Sequence, residues 1–110
     1  NINPIVISAL SSLNLPVSPN VNTDGSDEYI TFNYADERPA LRADDTDIYD
    51  ETTVQVHYFT KGNPQPNKKA IRRLLRASGF TIISTSEFYE SDTKFNHVVV
   101  EAWIEGSVED

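Results

Sequence analysis

The 110-residue sequence contains no cysteine. That absence excludes a disulfide framework, a thiolate metal site and a cysteine nucleophile, so the fold must be held by packing without covalent cross-links. Long apolar runs are missing too: segments such as Val98 to Val100 fall far short of the roughly 20 residues of a membrane-spanning helix. Ile2 to Leu10 lacks the basic leader and the length of a secretory signal. We therefore expect synthesis in the cytosol and no membrane partner.

Sequence motifs of catalysis are also missing. We find no phosphate-binding loop, no dinucleotide fingerprint, no zinc-ligand spacing and no G-x-S-x-G nucleophile turn. His57 and His97 both fall in predicted strands, and they could meet across a sheet beside an acid as part of a hydrolase site. Packing in the sheet or an edge hydrogen bond is the favoured interpretation of both. The sequence thus predicts a protein that is not an enzyme and binds no cofactor.

Basic residues are scarce outside one stretch. Six of the nine Lys and Arg lie between Lys61 and Arg76, where there is no acid, whereas the rest of the chain carries all 17 Asp and Glu. The net charge of −8 and the pI near 4.6 argue against adhesion to nucleic acid or anionic lipid over most of the surface. Opposite charges on one small protein suggest assembly, because the basic face of one copy can pair with the acidic face of the next.

Length and hydrophobic patterning predict one domain spanning residues 1–110, with residues 1–2 and 106–110 frayed. Helical spacing of apolar residues marks two helices, and period-two alternation marks four strands. This order predicts an α+β fold with two helices on one face of a mostly antiparallel sheet. The predicted helices are Pro4 to Leu13, begun by Asn3, and a second after the Lys61 to Asn67 turn that ends at Gly79; the predicted strands are Tyr29 to Tyr34, Thr52 to Thr60, Phe80 to Tyr89 and Asn96 to Glu105.

The second helix is strongly amphipathic. Ile71, Leu74 and Leu75 form a stripe for burial, and five cations lie on the opposite side of the wheel. Three interpretations stay open: a solvated face, a contact with another subunit or a connector, and, least favoured, contact with nucleic acid phosphates. The candidate interface residues here are Lys68, Lys69, Arg72, Arg73 and Arg76.

Residues 35–51 are rich in Asp and Glu and are expected to form a protruding arm, since an idle connection in a compact domain is usually shorter. Its acids lack the central glycine and the ordered spacing of an EF-hand, so we expect no metal there. A solvated loop and a partner-binding arm remain the alternatives. Trp103, on the outward face of the last strand, is a further candidate contact residue. The candidate interface acids are Asp44, Asp45, Asp47, Asp50 and Glu51.

The later half of the chain resembles the tail terminator or tail completion proteins of long-tailed bacteriophages. The resemblance lies in the strand from Val54 to Phe59, in the helix ending at Gly79-Phe80, in Phe88-Tyr89-Glu90, and in Asp92 to His97 leading into the last strand. The short first helix followed by Leu15-Pro16-Val17 also fits.

This resemblance implies a structural virion protein without enzymatic activity, assembled in the host cytoplasm. It would form a sixfold ring of its own copies on the head-proximal end of the tail tube, contact the tail tube protein, and offer a docking surface to the head–tail connector protein. The alternative from a different class is an acidic binding module that inhibits a DNA-binding protein by presenting carboxylates in place of phosphates.

Overall fold

A computed structural model of the chain describes residues 2–22, 24–41 and 48–105, and of residues 36–41 and 48–50 it describes the backbone alone. Five strands form one sheet in the order β1-β2-β3-β5-β4. The α+β prediction is confirmed. In chain order the elements are α1 (Asn3–Leu10), a 3-10 turn (Ser11–Leu13), β1 (Val17–Pro19), β2 (Glu28–Leu41), β3 (Ile48–Thr60), α2 (Gln65–Ala77), β4 (Thr81–Glu90) and β5 (Phe95–Glu105).

The N-terminal helix α1 begins one residue earlier than predicted. Ile2 occupies the N-cap position and no side-chain cap hydrogen bond forms, so Asn3 is not the cap. Ile2, which we expected to fray, is only 3% exposed, because it belongs to the core together with Val6 and Leu10. The last predicted turn of the helix tightens into the 3-10 turn and ends at Asn14, which has a positive φ of 57°.

The core lies between the two helices and one face of the sheet, here called the inner face. Alternate residues of β5 point inward as predicted: Val98, Val100 and Ala102 are fully buried, while Ile104 is partly buried against the core. Because opposed residues in an antiparallel ladder share a face, the register also fixes the outer face of the sheet. Strand β1 was missed in the sequence, since three residues paired in parallel to β2 give no alternation to detect.

Residues 35–41 and 48–51, predicted as part of an arm, continue the β2–β3 ladder. The register shifts between Tyr34 and Asp36 and then runs to Leu41, which pairs with Ile48. Both strands are therefore longer than their alternating segments indicated. The backbone hydrogen bonds of an antiparallel hairpin do not require apolar side chains, so charged and proline-containing sequence concealed the pairing.

Helix α2 begins at Gln65, earlier than predicted, with Pro66 in its first turn, a position that tolerates proline. Its last residue is Ala77, and the chain leaves the helix at Gly79, the predicted stop, whose φ of +99° suits glycine. The amide of Gly79 donates to the Arg76 carbonyl and that of Phe80 donates to the Leu75 carbonyl, which is a Schellman motif. Phe80 and Leu75 are both in the core, so the motif also fixes how the chain enters β4.

Candidate functional site

The cations of α2 fall into two groups, those that are exposed and those that are half-buried or paired within the chain. Ile71 and Leu75 are buried and Leu74 packs partly against the core, as the helical wheel predicts. Lys69, Arg73 and Arg76 are exposed. These three occupy positions i, i+4 and i+7, which line up along one side of a helix. We call them the basic ridge.

The other two cations of the helix are engaged within the chain. The Lys68 ammonium lies 3.1 Å from the Glu87 carboxylate of β4, and the Gln65 amide donates to the same carboxylate. Arg72 is half-buried, and its Nε is buried with no hydrogen-bond partner among the described residues. Lys68 therefore lies toward β4, and neither side chain is as exposed as those of the ridge.

No ion pair within residues 2–22, 24–41 and 48–105 involves Lys69, Arg73 or Arg76. The sixth cation of the stretch, Lys61, lies 3.4 Å from Asp27 and also over the Phe95 ring, 5.0 Å from its centroid. The basic ridge is thus the part of the basic stretch that forms no ion pair with the described residues. Exposed ion pairs contribute only about 0 to 1 kcal/mol each, so a ridge of this kind governs register and association rate more than affinity.

Most of the acids predicted to pair with the basic helix lie outside the described residues. Asp44, Asp45 and Asp47 lie outside the described residues, and for Asp50 only the backbone is described, paired with Pro39. Glu51 is half-buried and lies opposite Arg38 on one side and Glu105 on the other.

Trp103 lies on the outer face, between Thr53 of β3 and Thr81 of β4, and is half-buried. The helices contact the sheet through β1, β4 and β5 on the inner face, so in the described chain no helix covers this tryptophan. An indole in such a position buries part of its ring against the strands and keeps the rest available for contact.

A row of aromatic rings crosses the outer face at the other end of the sheet. The rings of Tyr29 and Phe59 stack with their centroids 4.7 Å apart, and those of Phe59 and His97 stack with centroids 4.1 Å apart. The Phe88 ring centroid lies 4.6 Å from that of His97. Phe95 packs edge-on against Tyr29 and Phe59. This row was not predicted from the sequence. Its only signal was an aromatic at an outward position in several strands, and joining those positions required the register.

The two histidines meet within this row. His57 Nδ1 lies 2.8 Å from His97 Nε2, and His97 Nδ1 lies 3.1 Å from the Glu90 carboxylate. His57 Nε2 is 2.8 Å from Asn33 Oδ1. The favoured interpretation, packing and hydrogen bonding within the sheet, is what this geometry shows. Chemically, the arrangement can hold and share a proton.

Burial lowers the pKa of both rings below the usual histidine value. For His57 the nearby His97 lowers the pKa further, whereas for His97 the hydrogen bond and charge of Glu90 act in the opposite direction without overcoming burial. Each ring therefore favours its neutral form more than a free histidine does.

A second polar cluster ties β3 to α2 on the inner face. The buried Tyr58 hydroxyl donates to the Glu28 carboxylate, and the Asn67 amide donates to that carboxylate at 3.1 Å and to the hydroxyl at 3.2 Å. Burial, followed by the Glu28 hydrogen bond, raises the pKa of Tyr58. The cluster joins the start of β2, the central strand β3 and the first turn of α2.

Within the described ranges, no group of three or more His, Cys, Asp or Glu residues is placed to hold a metal ion. The helices that the structure describes are all too short or too polar to cross a membrane.

No family model matches the chain, and no curated protein matches it. Among solved structures it is similar to a chain in the virion of a native gene transfer agent particle, with a TM-score of 0.56 at 12% identity. The match covers 89% of this chain and 84% of that chain. The likeness shows a shared fold.

Proposed function

We propose that this chain is a structural virion protein of a phage-like particle, without enzymatic activity, and that it acts as a tail terminator. In this role copies of the chain form a sixfold ring on the head-proximal end of a tail tube, stop its growth and give the head–tail connector a surface to dock on. The observation that carries the proposal is the fold shared with a chain of a gene transfer agent virion. The sequence resemblance to tail terminators, found from the residues alone, supports it.

The charge distribution supports ring assembly. A head-to-tail ring needs two different complementary patches on each subunit. The basic ridge, which finds no ion pair among the described residues, supplies one patch. The other is assigned to the acids of the arm, Asp44, Asp45, Asp47, Asp50 and Glu51. Trp103 is the apolar contact that adds affinity.

Sedimentation velocity of the purified chain at low and high salt tests ring formation. Charges are screened beyond about 10 Å at 0.1 M salt, so contacts between a ridge and an acidic arm weaken as salt rises. We expect a discrete hexamer at low salt that loosens as the salt concentration rises. A monomer at both salt concentrations, up to the highest protein concentration reached, would contradict a charge-driven ring in the free chain.

A further inference from the structure

The contact between His57 and His97 is the centre of a hydrogen-bond chain that crosses four strands. It begins at Glu90 of β4, passes through His97 of β5 and His57 of β3, and reaches Asn33 of β2. The Asn33 amide in turn donates to Gln55 of β3 at 3.4 Å. His97 is 9% exposed although this face carries no helix in the described chain, because the aromatic row surrounds it.

The groups at the two ends of this hydrogen-bond chain, Glu90 and Asn33, determine how many protons the rings carry. A carboxylate only accepts, so His97 Nδ1 must hold a proton toward Glu90. With its oxygen toward the ring Asn33 only accepts, so in this orientation His57 Nε2 holds a proton as well. The short contact between the rings then contains one more proton. This orientation of Asn33 therefore corresponds to the protonated form of the pair, with three protons on two rings, whereas the amide turned the other way corresponds to two neutral imidazoles.

We propose that His57 and His97 form a one-proton binding site on the outer face of the sheet. One proton added to the two neutral rings is shared between them, and a second proton binds only when the contact between the rings breaks. The ligand is the proton itself, and the Glu90 carboxylate is its counter-charge. The inference does not depend on the proposed function.

Each neighbouring protonation state requires a different structure. With both rings neutral, His57 Nε2 becomes an acceptor, so the Asn33 amide must turn its NH2 group toward the ring and its oxygen toward Gln55. With both rings charged, two N–H groups would face each other across 2.8 Å, which breaks the contact. The site thus couples proton uptake to amide orientation on one side and to separation of the two rings on the other.

Few other charges face the pair. On the same face, β4 contributes Glu90, β2 contributes the Tyr29 phenol and β5 contributes Glu101, which lies opposite Gln55. Lys61 lies at the far side of the aromatic row, above Phe95. Helices α1 and α2 pack on the inner face and bring no charge to the site. Glu90 is therefore the charge that compensates the shared proton.

A pH titration of the imidazole signals by NMR tests the site directly, because the chain has only two histidines. Strongly interacting groups titrate as a pair, so we expect two macroscopic steps more than about 1 pH unit apart, with both rings responding in the first step. If each ring instead titrates once, independently and near the ordinary value of about 6.5, the proposal is wrong.

Glu90→Gln keeps the side-chain shape and removes the counter-charge. We expect its first step to move to lower pH, whereas Glu87→Gln, the same change on the inner face of the same strand, leaves both steps in place. His57→Gln leaves one ring, and His97 should then titrate in a single step above the second step of the pair. An unchanged first step in a folded Glu90→Gln variant contradicts the proposal, even if His57→Gln fails to fold.

Discussion

Lys68 and Glu87 form an ion pair of 3.1 Å between α2 and β4, with both side chains partly shielded from solvent. The contact occupies one of the cations that a helical wheel assigns to a continuous basic face. What remains exposed is the narrower basic ridge of Lys69, Arg73 and Arg76. A contact through α2, if the proposed assembly forms, would then involve this ridge and not the whole cationic face of the helix.

Reversing the ridge should block assembly without unfolding the chain. Arg73→Glu with Arg76→Glu replaces two exposed cations that make no ion pair among the described residues, so the melting temperature should change little. Sedimentation velocity of this double variant at low salt should show no hexamer.

The matched control is Lys61→Glu with Lys94→Glu, which changes the net charge equally at two exposed sites outside the helix. The control should still assemble. Equal loss of assembly in both double variants would show that assembly depends on net charge alone. It would contradict the assignment of the basic ridge to the interface.

The core should depend on Leu75, which is fully buried and contributes to the end of α2. Leu75→Ala leaves a cavity and should lower the free energy of unfolding by about 2–5 kcal/mol in urea denaturation. Val21→Ala, at a position 64% exposed, should change the same quantity by less than about 0.5 kcal/mol. Similar losses in the two variants would contradict the assignment of the core.

The Tyr58 hydroxyl should stabilise the junction of β3 and α2. Tyr58→Phe removes its hydrogen bonds to Glu28 and Asn67 while keeping the ring, and should cost about 1–3 kcal/mol of unfolding free energy. Tyr89→Phe makes the same chemical change at a ring that is 58% exposed, and should cost little. A Tyr58→Phe variant as stable as the parent would mean that this cluster contributes nothing to stability.

Stability should fall as the pH drops below the ordinary histidine range. The folded pKa of both histidines is lowered, so below about 6.5 the unfolded chain binds more protons than the folded one. The stabilisation is fully present above the unfolded pKa and is lost as the pH falls through the folded values.

Urea denaturation between pH 7.5 and 5 measures this effect. The parent should lose stability across the interval, and His57→Gln should lose less. A parent whose stability is constant or rises on acidification would contradict the lowered pKa values.

Trp103 reports on the outer face because it is the one tryptophan of the chain. It is half-buried, so acrylamide should quench its fluorescence in the monomer. If it is an interface residue, quenching should fall on assembly at low salt and recover at high salt. Quenching that is the same in monomer and assembly would place Trp103 outside the contact.

The sequence was sufficient for the elements whose side chains alternate or follow helical spacing. Val98 and Val100 marked the inner face, and Ile71 and Leu75 marked the buried side of α2, because burial selects apolar residues at those periods. The extension of β2 beyond Tyr34 was not predictable in this way, since backbone pairing there continues through charged sequence.

The sites depended on register. His57 and His97 are 40 residues apart, and only the pairing of β3 with β5 brings them within hydrogen-bond distance. The split of the basic face likewise required the packing of α2 on β4, which places Lys68 beside Glu87. Sequence spacing gave the chemical types of these residues but not which of them were already engaged.

Imaging of tail tubes most directly tests the proposal that the chain is a tail terminator. Tubes would be polymerised from the tail tube protein of the same particle, with and without the purified chain, and examined by cryo-electron microscopy. The account predicts a sixfold cap at one end of each tube and no further growth from that end, with the ridge variant Arg73→Glu, Arg76→Glu leaving tubes uncapped. Tubes that elongate equally with and without the chain, and carry no added density at either end, would contradict it.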